Sequence, residues 1–247
     1  MLICSFSGGK DSTAMLHLLM EQGRKPDKIY FFDTGWEFPA MYEHLKLVEE
    51  KTGLKIEIRR SPKPFLYYML FKPIKSGGAG YGWPRVYNRW CTSLKKAALT
   101  KDIPKDAITA IGLAADETAR AAKAGMQKNK IFPLIEAGMT EADCLAYCYS
   151  LGYTWGGLYE ECTRVSCYCC PLKRTGALKI LRKNHPDLWN KMLQWDRVCE
   201  NRANFKGYKD KSVKGKREWW TVKDWDAYFE SEEEKMASQE ILFKQRG

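Results

Sequence analysis

The sequence predicts an α/β fold built on a doubly wound, mostly parallel sheet, followed by a helical, cysteine-bearing C-terminal region. Three observations carry that expectation. Short β-rich apolar runs alternate with helical stretches through the first half of the 247 residues, which implies parallel pairing with crossover helices. The first run, Leu2–Phe6, empties into Ser7-Gly8-Gly9-Lys10-Asp11-Ser12 and a helix start. Beyond Thr140 the pattern turns helical.

The first strand and its loop form a phosphate cradle by construction. Gly8 and Gly9 let main-chain amides approach an anion closely, and a helix over residues 13–22 points its unpaired amides and positive dipole end at the same spot. Lys10 adds a point charge, while Asp11, Ser7 and Ser12 can serve a magnesium ion or orient phosphates. The spacing is not that of a Walker A loop, which has four residues between its first glycine and the Gly-Lys pair.

A second strand, Lys28–Phe32, ends in Asp33-Thr34-Gly35, and a helix signal over 39–51 is closed by Gly53. Residues 54–59 read as a third strand, 62–71 as a helix, 107–113 as a fourth strand and 131–134 as a short fifth one. Ligands of such sheets bind beyond the carboxyl ends of the strands. The Ser7 loop, the Asp33 turn and residues 114–120 all fall there, so one site can gather all three. The run from Ser76 to Pro84 is too glycine-rich to pack as an element; it is either a lid over a bound nucleotide, with Trp83 or Tyr81 as its apolar face, or a plain connector. Helices follow over 141–151, 176–184, 188–200 and 225–234, and there is no internal repeat. The expected division is a nucleotide-binding α/β domain over 1–135 and a helical, cysteine-bearing, basic region over 136–247, packed together as one unit.

An apolar fraction of 45% is enough for a core, and no run approaches the roughly 20 apolar residues of a membrane span. The start carries no basic-then-apolar leader pattern, so the expected location is cytoplasmic. Nine cysteines in such a chain argue for metal, cluster or redox chemistry rather than structural disulfides. The net charge of +11, from 41 basic and 30 acidic residues, favours a polyanionic partner. Between Arg202 and Arg217 lie Lys206, Lys209, Lys211, Lys214 and Lys216, with Phe205, Tyr208, Trp219 and Trp220 interleaved or flanking. That composition suits phosphates and stacked bases, or a solvated basic loop beside a packed tryptophan pair.

The cysteines divide by spacing. Cys167 and Cys170 make a Cys-x-x-Cys with Cys169 between them, able to hold a metal or two corners of a cluster; Cys162 is a spare. Cys4 reads as a core hydrophobe; Cys144 and Cys148, four apart on one helix, read as core or half-exposed packing, as does Cys199. His17, His44 and His185 stand alone on predicted helices and receive no catalytic role. Trp155-Gly156-Gly157-Leu158-Tyr159 reads as a turn beside the cysteine site.

Together these motifs resemble the PP-loop superfamily of ATP pyrophosphatases and phosphoadenylyl-sulfate (PAPS) reductases, adenine nucleotide alpha hydrolase-like in fold, over roughly residues 1–175. Ser7 to Ser12 matches the PP-loop, Asp33-Thr34-Gly35 with Glu37-Phe38-Pro39 the adenosine-pocket signature, and Gly112, Asp116, Glu117 and Arg120 the third motif. The resemblance implies nucleotide binding by Ser7, Gly8, Gly9, Lys10, Asp11, Ser12, Asp33, Thr34, Gly35, Gly112, Asp116, Glu117 and Arg120. It implies catalytic roles for Lys10, Asp11 and Cys91, and metal ligation by Cys91, Cys167, Cys169 and Cys170, with Cys162 as a substitute. The implied cofactors are a 4Fe–4S cluster, with zinc as runner-up, and Mg2+, with ATP as substrate.

Two departures bear on the reaction. Ala114 stands where the motif has an arginine, and the chain closes Leu242-Phe243-Lys244-Gln245-Arg246-Gly247 rather than on the reductases' Glu-Cys-Gly. With its phosphate loop complete, the chain resembles ATP-dependent sulfurtransferases, including those of DNA phosphorothioation and tRNA thiolation. This implies adenylation and thiolation of a nucleic acid, DNA or tRNA, bound through the basic C-terminal region, with a sulfur-donor protein as a further partner. The alternatives are a PAPS or APS reductase, and a nucleotide- or DNA-binding regulator whose catalysis has lapsed.

Overall fold

In the computed structural model, five strands form one parallel sheet in the order β3-β2-β1-β4-β5. They are β1 (Leu2–Phe6), β2 (Lys28–Phe32), β3 (Ile56–Arg59), β4 (Ile108–Ile111) and β5 (Lys130–Ile131). The structure describes all residues except 76, 86, 118, 121, 123–128, 201–204, 214 and 245–247, with side chains of the last helix described to residue 239. Ser76, Arg202, Lys214 and the last three residues of the chain therefore lie outside the described residues.

The doubly wound expectation holds. β1 is central, and Ile3, Cys4 and Phe6 are buried, which is why it reads as a near-continuous apolar run. From β1 the chain moves to β2 and β3 on one side, then returns to β4 on the other. The carboxyl end of β1 is thus the switch point of the sheet, where such folds bind ligands. The helix α1 (Lys10–Glu21) buries Thr13, Ala14, Met15, Leu16 and Leu19, and α2 (Pro39–Thr52) starts on a proline and stops at Gly53.

The chain divides into two compact units, Met1–Pro62 with Thr92–Cys167, and Lys63–Cys91 with Tyr168–Gly247. This differs from a single cut near residue 135. The helix Glu141–Ser150, opened by a Thr140/Asp143 capping box, packs on α1 with Cys144 and Cys148 buried. A change of periodicity marks a change of element, not of packing partner.

The second unit holds the short helix Phe65–Leu70, the helices Thr175–Asn184, Pro186–Glu200 and Val222–Lys244, and an antiparallel hairpin of β6 (Lys209–Val213) and β7 (Lys216–Trp220). The hairpin is where the sequence suggested only a basic segment. Trp83 is 1% exposed and donates its indole N–H to the buried Asp196 carboxylate at 2.7 Å. The other oxygen of Asp196 accepts the Val222 amide at 2.5 Å. Residues 77–84 are sewn down by Gly80, Tyr81 and Gly82 amides donating to Lys72, Tyr68 and Met69 carbonyls at 2.8, 2.9 and 3.0 Å. Trp83 is therefore an anchor of its own unit and not the face of a lid. No helix among the described residues is long and apolar enough to cross a membrane.

In the first unit the histidines, which looked isolated in sequence, tie helices together. His44 is 3% exposed, its Nε2 lies 2.9 Å from Thr13 Oγ1, and its ring stacks on Trp155 at 4.4 Å. His17 Nε2 meets the Tyr153 hydroxyl at 2.7 Å. Burial pushes the His44 pKa down to about 3. Since the ordinary imidazole value is about 6.5, His44 takes up a proton on unfolding anywhere between those limits, and unfolding free energy falls as pH drops through that window. Urea melts from about pH 7 to about pH 4.5 should lose up to roughly 1.4 kcal/mol per pH unit, and His44→Gln should flatten that slope. An identical slope in the variant would remove His44 as its cause.

Candidate nucleotide site

The phosphate loop begins where β1 ends. Gly8 has φ +74, a left-handed angle that favours glycine, and a Cβ there would lie 2.4 Å from Met41 Sδ, so that the methionine would have to move. Gly9 is the N-cap of α1 and offers no side chain to its amides, leaving the helix start open to an anion. Ser12 Oγ donates to the Gly9 carbonyl at 3.0 Å, accepts the Ser7 amide at 3.2 Å and lies 3.1 Å from Ser7 Oγ. These bonds fix the curl of the loop.

Lys10 is buried, and its ammonium is shared by Asp11 Oδ1 at 2.7 Å and Glu141 Oε2 at 2.8 Å. Burial works against its charge, but bonds and charges from the two carboxylates outweigh that and hold its pKa above the ordinary value. Burial raises the pKa of Asp11, with Lys10 opposing and Glu141 and Glu117 adding to the rise. An ammonium held this way can exchange a carboxylate for phosphate oxygens without changing its protonation.

Three partners of the loop were not foreseen from sequence. Glu141 reaches Lys10, and its own amide donates to Asp116 Oδ1 at 3.1 Å, so it bridges the loop to the third motif. Tyr159 Oη accepts the Lys10 amide at 2.8 Å. Trp155 Nε1 donates to the Gly8 carbonyl at 2.7 Å, which places the Trp155–Gly157 turn on the phosphate loop, where the sequence reading had set it beside the cysteines. The only local signal was the capping box, which makes Glu141 the first residue of its helix.

The other expected residues find definite places. Asp33 is buried, accepting from the Gly35 amide and the Tyr42 hydroxyl at 2.8 Å each and from Arg60 Nε at 2.9 Å. Thr34 Oγ1 donates to Glu37 at 2.7 Å and accepts the Trp36 amide at 3.0 Å. These bonds shape the turn at the end of β2. Gly112 follows β4, and a Cβ there would lie 2.9 Å from Ser12 Cα, so it permits the close approach of β4 to the loop. Ala114 is fully buried. Glu117 pairs with the exposed Arg120.

Cys4, Cys144 and Cys148 are buried, each with its pKa pushed up to about 12, chiefly by burial. Cys148 Sγ donates to the Lys10 carbonyl at 3.3 Å. Cys199 is buried as well. Cys91 lies in the first turn of the helix Trp90–Thr100, half-buried like Cys162, Cys167 and Cys170, while Cys169 is buried. Cys167 closes the first unit, and Cys91, Cys169 and Cys170 belong to the second. Among the described residues no three His, Cys, Asp or Glu side chains converge as a metal-holding group. The thiol-rich run supplies donor chemistry for a cluster or zinc.

The phosphoadenosine phosphosulfate reductase domain model matches residues 1–173. An uncharacterised protein of Methanocaldococcus jannaschii, MJ0066, is 27% identical over 214 residues, covering 82% of this chain and 42% of the relative. The chain thus spans less than half the length of that relative. The U34-tRNA thiolase NcsA from Methanococcus maripaludis, solved with its 4Fe–4S cluster, is similar at a TM-score of 0.43 and 16% identity, over 81% of this chain and 72% of that one. With the loop at the switch point of a parallel sheet and the family match running through it, the chain belongs to the phosphoadenosine phosphosulfate reductase domain family.

Proposed function

We propose that the first unit binds ATP on the Ser7–Ser12 loop and cleaves it between the α and β phosphates in ATP-dependent sulfur transfer to a nucleic acid. The complete loop, with Gly8 in its left-handed turn and Lys10 carrying its charge at the helix start, carries this reading. An oxygen of the acceptor attacks the α-phosphorus, pyrophosphate leaves with the bonding pair, and the acceptor is adenylated. Sulfide then displaces AMP and remains on the acceptor. With a protein persulfide as donor, its outer sulfur displaces AMP and a second thiol cleaves the resulting disulfide, leaving the sulfur on the acceptor and a disulfide between the two thiols. Lys10 and the loop amides stabilise the charge that grows on the leaving pyrophosphate, the principal electrostatic task. Asp11 with Asp116 or Glu117 supplies the oxygen donors that suit magnesium, which neutralises phosphate charge when bound. Cys91 is the proposed sulfur-handling thiol, and Cys91, Cys167, Cys169 and Cys170, with Cys162 in reserve, are the proposed ligands of a 4Fe–4S cluster or zinc.

The family match also supports a second reading, reduction of PAPS or APS to sulfite. Ala114 favours ATP: a fully buried methyl at this position offers no guanidinium to a sulfonucleotide.

For the nucleic acid, the proposed surface is the hairpin of the second unit. Trp219 is 37% exposed and carries the Arg85 guanidinium 5.4 Å from its ring centre, an arrangement suited to stacking a base. Lys216 and Arg217 are exposed beside it for phosphates, Arg217 with only a loose 3.7 Å pairing to Asp210. Lys211 is not available, since its ammonium lies 2.8 Å from the Tyr228 ring centre and 4.2 Å from that of Trp220.

Anaerobically purified protein should release pyrophosphate and AMP from ATP, and Lys10→Ala should weaken ATP binding by at least about tenfold. Sulfite from PAPS or APS without pyrophosphate from ATP would shift the assignment to the reductase. The same preparation should contain iron; zinc alone would make the cysteine site structural. Trp219→Ala should weaken binding of a short single-stranded RNA or DNA by roughly tenfold, the worth of one stacked base, with ATP affinity unchanged; unaltered oligonucleotide binding removes the hairpin from the interface. Glu141→Gln should tighten ATP binding roughly threefold to tenfold by freeing Lys10 from a half-exposed competitor. Weaker binding would instead make Glu141 a magnesium ligand.

A further inference from the structure

We infer that Tyr159 is a phosphate-contacting residue, its hydroxyl held on the phosphate loop by the Lys10 amide so that its own proton is donated to a phosphate oxygen of the bound nucleotide. The inference rests on the reading that this loop holds nucleotide phosphate.

The geometry begins with the direction of one hydrogen bond. The Lys10 N–H donates to Tyr159 Oη at 2.8 Å, so the phenol oxygen acts there as acceptor and its hydrogen remains to be given. Among the described residues the Lys10 amide is the only hydrogen-bond partner of that oxygen. The hydroxyl lies over the loop itself, since a Cβ built on Gly9 would be 3.2 Å from it. Burial is the main influence on its ionisation and raises its pKa above the ordinary phenol value. The group is therefore a neutral O–H donor throughout the neutral range. A half-buried hydroxyl with an unspent proton, set against the first amide of an anion-binding helix, is matched to an oxyanion and not to a cation or an apolar group.

The residues before Tyr159 fix it in place. Trp155, Gly156 and Gly157 all have positive φ, at +49, +60 and +86. For Trp155 this is a strained, left-handed conformation that persists only where the surroundings over-determine it. Here its indole is bonded to the Gly8 carbonyl, stacked on His44, and set edge-on to the Tyr159 ring at 4.8 Å. One strained turn thus fastens both the carbonyl of Gly8 and the amide of Lys10. It presents the phenol to the cradle from a segment far along the chain.

A purely structural role makes the opposite prediction. If Tyr159 only caps the amide that Gly9 cannot cap, removing the hydroxyl frees that amide for phosphate, and phosphate binding stays equal or tightens. Titration calorimetry of the wild type and Tyr159→Phe with MgATP, pyrophosphate and adenosine separates the two. The expected result is a loss of about tenfold or more for MgATP and pyrophosphate, the effect of one hydrogen bond to a charged group. Adenosine affinity and the melting temperature should stay unchanged. Equal or tighter MgATP binding, or an equal loss for adenosine, overturns the inference while leaving the nucleotide site standing. A wild-type protein that binds neither MgATP nor pyrophosphate takes down both readings. Should the variant fail to fold, a wild-type structure with MgATP decides: Tyr159 Oη more than about 3.2 Å from every phosphate oxygen overturns the inference.

Discussion

The left-handed turn at Gly8 is the constraint on which the rest of the site depends. It ends the central strand, aims the start of α1, and turns its carbonyl to the Trp155 indole. Met41 Sδ occupies the space a side chain would need, so α2 is packed against the turn from the β2 side of the sheet. From the β4 side, Gly112 lets the strand end approach Ser12 with no intervening side chain. The switch point of the sheet is thus closed on both flanks by contacts that a single methyl group would disrupt. The ligand crevice is a consequence of strand order, but its tightness comes from these two glycines.

Charge is arranged around the same point with unequal partners. Asp11 adjoins Lys10 and is the more buried carboxylate, while the Glu141 side chain is 47% exposed. An exposed carboxylate gives up little when it returns to water, whereas a buried one would be left desolvated without its cation. On the proposed reading, an arriving phosphate displaces Glu141 at lower cost than Asp11. The Asp116 bond to the Glu141 amide involves the backbone, so Glu141 can release Lys10 by side-chain rotation while the third motif stays joined to its helix.

The parts of the molecule legible in sequence are those written within one turn or one strand. The glycines of the loop and the alternation of strands and helices are local signals, and each appears where expected. The partners of the loop are not local. Lys10 to Tyr159 and Gly8 to Trp155 join residues roughly one hundred and fifty positions apart, and no periodicity records such a pair. Glycine-rich runs mislead for a different reason. The same residue serves a mobile loop and a backbone laid tightly on another, and only the carbonyls of Tyr68 and Met69, accepting from Tyr81 and Gly82, distinguish the second case. Trp83 looked like a lid because an aromatic residue in a glycine run has no visible partner until Asp196 is placed beside it.

Net charge also says less than it first suggests. The second unit owes its basic character in part to cations already engaged. Lys209 donates to the Pro171 carbonyl at 3.0 Å, Arg182 is held by Asp226 and Glu233, and Lys211 lies among the rings of Trp220, Trp225 and Tyr228. Such cations add to the long-range field but cannot each contact a phosphate without losing a bond already made. The cations exposed along β7 are Lys216 and Arg217, which both precede Glu218, with Arg217 Nε 3.7 Å from the Asp210 carboxylate on the facing strand. On the proposed function, two neighbouring cations beside an exposed indole suit a base and its adjacent phosphates better than a long duplex, whose affinity rises with the number of phosphates neutralised. The distribution of available charge, and not its sum, is what supports the proposal that this surface takes single-stranded nucleic acid.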